Sequence, residues 1–178
     1  MVTGTQLIQD FVNTLHKDVY GDEEELQTPT VLAAWLRDRG LAGAARATVD
    51  DLARAIELRE ALRTLLLANN GVAVDAAAAQ RVLDEAARRG RIELRFLDGE
   101  PTLVPAATGV AGALGRVVAA VHASFADGSW PRLKACRAHD CEWAFVDHAK
   151  NQSRAWCSMR SCGNRAKARA HRERQRHA

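Results

Sequence analysis

The sequence predicts a mainly α protein: a helical, bundle-like N-terminal domain with one small β-hairpin, then a small four-cysteine module ending in a basic helix. Three observations predict it. Apolar residues recur at helical spacing over most of the first 130 positions. One short stretch near residue 95 switches to a period of two. All four cysteines fall after residue 131, in a segment whose charge is opposite to that of the rest.

The charge division is sharp. Residues 1–131 carry 13 Lys and Arg against 18 Asp and Glu, while residues 132–178 carry 12 against 4, so an acidic body of −5 precedes a tail of +8. Such asymmetry assigns the two parts different jobs. No segment reaches the roughly 18 uncharged apolar residues of a membrane helix. Met1–Asp10 has neither the basic region nor the apolar core of a signal peptide. The expectation is therefore a cytoplasmic chain with no membrane partner, whose thiols stay reduced.

In chain order, Thr5–Lys17 predicts a helix with Leu7, Ile8, Phe11, Val12 and Leu15 on one face. After an acidic linker, Thr28-Pro29-Thr30 opens a second helix, with Thr30 as N-cap, Gly40 as stop, and Val31, Leu32, Trp35 and Leu36 buried. Thr48–Ala68 is the longest periodic run, ended by Asn69-Asn70-Gly71. Val74–Arg89 is a fourth helix, stopped by Gly90. Ile92, Leu94 and Phe96 then alternate with charged residues, and Asp98-Gly99 signals a hairpin turn before a return strand at Leu103-Val104. Thr108–Asp127 is the last body helix. Its Gly109, Gly112 and Gly115 do not form G-x-G-x-x-G, so they predict close helix packing rather than a nucleotide site. Asp127-Gly128-Ser129 and Pro131 mark the boundary, giving domains 1–130 and 131–178.

Cys136, Cys141, Cys157 and Cys162 form two C-x4-C pairs separated by fifteen residues. Each pair presents two thiolates from one turn, and the gap has hairpin length, which is what tetrahedral zinc requires. Disulfides, buried free thiols, an iron–sulfur cluster, and a mixed site using His139 or His148 are the alternatives. The repeated spacing favours one zinc ion. Four thiolates close the shell, so the metal is expected to be structural. A module this small buries too little apolar surface to stand without such a staple. Trp143, Phe145 and Trp156 are spaced to shield the site. Gly163 is expected to turn the chain tightly beside Cys162, aiming the N–H groups of the following helix at the thiolates.

That helix, Asn164–Arg176, carries Arg165, Lys167, Arg169, Arg172 and Arg176, with four of the arginines at i, i+4, i+7 and i+11 on one face. A one-signed stripe fixed to a metal turn points to nucleic-acid backbone. The expected partner is DNA; an RNA-binding accessory module and a protein-interaction adaptor are the alternatives. In the body, Asp10, Asn13 and Arg59 are candidates for a pocket taking a small anionic effector, against the alternative of a polar network satisfied within the bundle. No G-x-x-x-x-G-K-[ST], H-E-x-x-H or G-x-S-x-G occurs, and no enzymatic activity is expected.

Cys162-Gly163-Asn164-Arg165, with Phe145-Val146-Asp147, Arg154 to Met159 and Lys167, resembles the CGNR zinc finger. Asp10-Phe11-Val12-Asn13-Thr14 and Leu32-Ala33-Ala34-Trp35-Leu36 are similar to the ABATE domain that accompanies this finger. The resemblance implies a helical N-terminal domain, a DNA-binding finger whose ligand positions match the four cysteines here, and a role in stress-induced transcription regulation in bacteria.

Overall fold

A computed structural model describes residues 4–18, 20–41 and 46–176. The body consists of α1 (Gly4–Val12), a two-residue ribbon of β1 (Leu15–His16) and β2 (Glu23–Glu24), α2 (Pro29–Asp38), α3 (Val49–Asn69), α4 (Ala76–Gly90), a hairpin of β3 (Ile92–Leu97) and β4 (Glu100–Pro105), and α5 (Gly109–Ala126). A single 3₁₀ turn (Trp130–Arg132) leads into β5 (Leu133–Ala135), which pairs antiparallel with β6 (Ala144–Val146). A π-turn (Met159–Gly163) then opens α6 (Asn164–Arg176).

Several boundaries differ from the sequence expectation, each for a local reason. The first helix stops at Val12 instead of Lys17 because Arg63 Nη2 captures the Val12 carbonyl at 2.8 Å and the Leu15 carbonyl at 3.3 Å. Leu15 therefore pairs with Glu24 in a ribbon rather than completing the helix. In α2 the N-cap is Thr28, whose hydroxyl accepts from the Val31 N–H, with Pro29 occupying the first turn where its missing N–H costs nothing. Val31, expected inside, is 37% exposed. Thr48 and Asp51 form a reciprocal capping box at the start of α3. Asp75 caps α4, and Arg91 rather than Gly90 takes the left-handed position at its end, φ 48°. The β3–β4 turn is Asp98-Gly99, both at positive φ, in register with Leu97 opposite Glu100.

The core brings Ile8, Phe11 and Val12 of α1, Leu32, Trp35 and Leu36 of α2, Leu58, Leu62 and Leu66 of α3, and Val110, Leu114 and Val117 of α5 into one cluster. Helix α5 is long and apolar enough to cross a membrane by length and composition, yet half of that window is buried inside the protein. The small residues of α5 serve close packing, as the spacing predicts. A Cβ on Gly115 would lie 3.1 Å from the Gly90 Cα, and one on Gly112 would lie 2.1 Å from the Ala107 carbonyl oxygen. Bare backbone is the only shape that fits at either place.

The C-terminal module is built into the body. Trp130, Leu133, Ala135 and Ala144 belong to the main core cluster. Asn69 Nδ2 donates to the carbonyls of Trp130 and Leu133, at 2.9 and 3.0 Å, and Asn70 Nδ2 to those of Ala135 and Ala155, at 2.7 and 2.9 Å. Arg137 Nε returns a bond to the Asn70 carbonyl at 2.7 Å. Two adjacent asparagines at the end of α3, read from sequence as a stop signal, are thus the hydrogen-bonding seat of the module's first strand.

Candidate metal centre

The four cysteines arrive from three pieces of backbone. Cys136 follows β5, Cys141 ends the turn returning to β6, Cys157 precedes the π-turn and Cys162 lies within it. Their sulfur atoms all lie within 4.8 Å of one another, with Cys141 and Cys157 3.5 Å apart and Cys157 and Cys162 3.7 Å apart. Tetrahedral zinc with Zn–S bonds of about 2.3 Å sets its sulfurs roughly 3.8 Å apart. The quartet fits, and none of the four is in a disulfide. His139 and His148, the alternative ligands, are both exposed and outside the cluster. The site holds one structural zinc ion; when bound, it supplies a fourfold crosslink between these backbone pieces.

The charge arrangement asks for a cation. Hydrogen bonds from the Cys141 and Cys157 thiols hold Cys136 far below the ordinary thiol range. Donating to Cys136 pushes both Cys141 and Cys157 up, Cys141 to about 12. Four thiolates in this space therefore require a divalent ion to displace the remaining protons.

Apolar groups seal the quartet. Phe145 is buried with Cys136, Cys141 and Cys162, and Ala138, Trp143 and Trp156 pack against them. Gly163 does not make a left-handed turn; a Cβ there would crowd the Trp156 ring at 3.3 Å and oblige the half-exposed Met159 thioether, 2.8 Å away, to move. The N–H groups that lead into α6 turn back onto the chain, Gly163 to the Ser158 carbonyl and Asn164 to the Met159 carbonyl. Instead the Arg165 guanidinium supplies the positive charge, with Nη2 3.3 Å from Cys162 Sγ and 3.5 Å from Asp140 Oδ1.

A second polar lock sits beneath the site. Asp147 is fully buried and accepts from Lys134 Nζ at 2.8 Å and from the Ala149 and Arg154 N–H groups at 2.9 Å each. Burial pushes its carboxyl up, but the Lys134 ammonium and the two backbone donors outweigh that and hold it below the usual carboxylate range. Lys134 also donates to the Gln152 and Arg154 carbonyls. This lock ties β5 to the loop that delivers Cys157.

The basic residues of α6 divide into two groups. Arg165 and Arg169 lean toward Asp140, and Arg169 also meets the His139 ring at 3.4 Å. Lys167, Arg172 and Arg176 are exposed, and among the described residues no carboxylate lies within ion-pair distance of them.

The structure does not gather Asp10, Asn13 and Arg59 into a pocket. Asp10 accepts from Gln6 at the surface. Asn13 is committed to the backbone of Ala144. Arg59, 2% exposed, is consumed by Glu24, Glu60 and Thr14. Each of the three is held by partners of its own. Sequence reasoning also missed Asp140, Asn70 and Lys134; only Asp140 carried a signal, an acid inside the first C-x4-C turn.

A helical body with a four-thiolate zinc centre in a second buried cluster beside its core defines a two-part, metal-stapled protein. Residues 5–128 match the ABATE family, described as "Putative stress-induced transcription regulator", and residues 132–175 match the CGNR zinc finger. The chain belongs to the ABATE family, with a CGNR zinc finger at its C-terminal end. No curated protein matches it.

Proposed function

We propose that this regulatory zinc-binding protein is a cytoplasmic DNA-binding transcription regulator, active in the stress response its family name suggests, and that α6 is its contact surface. One observation carries the reading: no residue of α6 is buried, so a helix dense in cations leaves the finger with solvent around it. Duplex phosphate rewards such a helix through counterion release. Trp143 and Trp156, which could have stacked on unpaired bases, pack instead around the thiolates, and this favours duplex DNA over single-stranded RNA. The protein is non-enzymatic on this reading, supported by a ligand shell with no position left for water.

Effector sensing, the second part of the reading, moves from Asp10, Asn13 and Arg59 to a cavity of about 620 Å³ among α3, α4 and α5. Leu58, Val82 and Leu114 line it together with three arginines, Arg54, Arg81 and Arg89, and three acids, Asp51, Glu57 and Glu85. This lining suits an amphiphile whose polar end carries both donors and acceptors. The deciding experiment is a duplex-DNA titration with and without a chelator. Zinc-dependent, salt-sensitive binding supports the reading; a zinc-loaded protein that ignores duplex DNA overturns it.

A further inference from the structure

The β3–β4 hairpin has an unfinished edge. Every residue of β3 after Ile92 is exposed, including Leu94 at 60% and Phe96 at 73%. Ile92, Leu94 and Phe96 share one face by strand alternation, opposite Pro105, Leu103 and Pro101 of β4. Packing of β4 on α5 steadies the ribbon, but it leaves Leu94 and Phe96 of β3 bare. An exposed apolar edge strand is a ready template for a further strand.

The two edges are not equivalent. The two-residue turn makes Leu97 and Glu100 a hydrogen-bonded pair, and alternation makes Arg95–Thr102 and Glu93–Val104 hydrogen-bonded as well. The outward amides on β4 therefore belong to Pro101, Leu103 and Pro105, two of which have no N–H to offer. β4 also lies against α5, where Pro105 meets Gly115. On β3 the outward amides belong to Ile92, Leu94 and Phe96, and each has a donor and an acceptor. One edge is blocked and the other is open.

The open edge is complementary to itself. Around Leu94 the sequence reads Ile92-Glu93-Leu94-Arg95-Phe96. We propose that two copies of this chain associate by antiparallel pairing of β3 with β3, with the two-fold axis at Leu94. Leu94 then faces Leu94 of the second copy, and Ile92 faces Phe96, in hydrogen-bonded pairs that use every outward amide. Glu93 faces Arg95 of the second copy in the closer, non-hydrogen-bonded pairs, and the symmetry makes this ion pair twice. A contact of this kind is isologous and closes at the dimer. The result is a four-stranded sheet with the exposed Leu94 and Phe96 side chains covered across the seam.

The test is sedimentation of the full zinc-loaded chain over a concentration series, with circular dichroism to confirm that each variant is folded. The wild type is expected to reach twice the chain mass of 19.4 kDa. Glu93→Arg and Arg95→Glu, both at exposed positions, should each weaken association by roughly ten-fold or more, because two opposed pairs become repulsive at once. Mixing the two single variants should restore a heterodimer, since the like charges of one chain then face opposite charges on the other. Leu94→Pro, which deletes an outward N–H and no hairpin bond, should abolish dimers in a folded chain. A wild type that stays monomeric at its highest soluble concentration overturns the proposal and leaves the edge to a partner of another sequence. So does a dimer indifferent to both charge reversals, or a mixture no tighter than its components.

Discussion

The carboxamide of Asn13 makes both of its hydrogen bonds with one residue 131 positions away: Nδ2 donates to the Ala144 carbonyl at 3.0 Å, and Oδ1 accepts from the Ala144 N–H at 2.8 Å. A side chain in the turn after α1 thus acts as an extra strand partner for β6, three residues after a zinc ligand. Asn13→Ala leaves a backbone donor and acceptor unsatisfied in a partly buried place, and the expected cost is about 1–3 kcal/mol in chemical denaturation. Asn13→Asp should cost more, because a carboxylate oxygen then faces the Ala144 carbonyl.

Arg63 is the second weld. Its Nη1 donates to the Glu142 carbonyl at 2.9 Å, its Nη2 to Val12 and Leu15, and its Nε to Glu60. Only a planar fork can serve these directions together. Arg63→Lys keeps the charge yet should cost about 3 kcal/mol, near that of breaking a buried pair. Urea unfolding followed by both tryptophan fluorescence and far-ultraviolet dichroism checks this, and the two probes should remain coincident.

These welds explain what the sequence could and could not disclose. The zinc ligands were legible because their spacing is local and thiolates do one thing well in fours. The helices were legible from their period, although their exact ends were not: α1 stops at Val12 rather than Lys17, and Thr28 rather than Thr30 caps α2. The partners of Arg59 and Arg63, and the burial of Lys134, were not, because most of the groups that these side chains bind lie far off in sequence. The strands β1, β2, β5 and β6 are two or three residues long, too short to display a period.

Asp147 should make stability depend on acidity. Its folded carboxyl sits below the ordinary value of about 3.9, so its contribution is complete above the unfolded value and is lost as pH falls through the folded one. Asp147→Asn removes that contribution and strands the buried Lys134 ammonium, for an expected loss of about 3–5 kcal/mol at neutral pH. The stability gap between wild type and variant should shrink steadily below about pH 4. A gap independent of pH would assign the loss to packing alone.

Zinc removal should reach beyond the finger. β5 is buried in the main core and runs straight into Cys136, so releasing the ligand loosens a core strand. Chelation, or Cys136→Ser, is expected to lower the thermal midpoint of the whole chain by roughly 10 °C, given about 2–4 °C per kcal/mol at this size. Metal analysis should return one zinc per wild-type chain. A scan showing the body unchanged while the finger melts alone would refute the coupling.

The two groups of cations on α6 predict two different failures. Lys167, Arg172 and Arg176 have no ion-pair partner within the described chain, so their replacement by Ala should leave zinc content and melting unchanged. The same change should weaken duplex binding and lower the salt slope by about 0.9 for each phosphate the helix no longer neutralises. Arg165 touches Cys162 Sγ and Asp140, so Arg165→Ala should instead reduce zinc retention against a competing chelator, and DNA binding only as a consequence. Saturating zinc separates the cases, because it should rescue Arg165→Ala and leave the triple variant unmoved. If zinc rescues neither, Arg165 meets the nucleic acid directly, and the inward group joins the outward one on a single binding face.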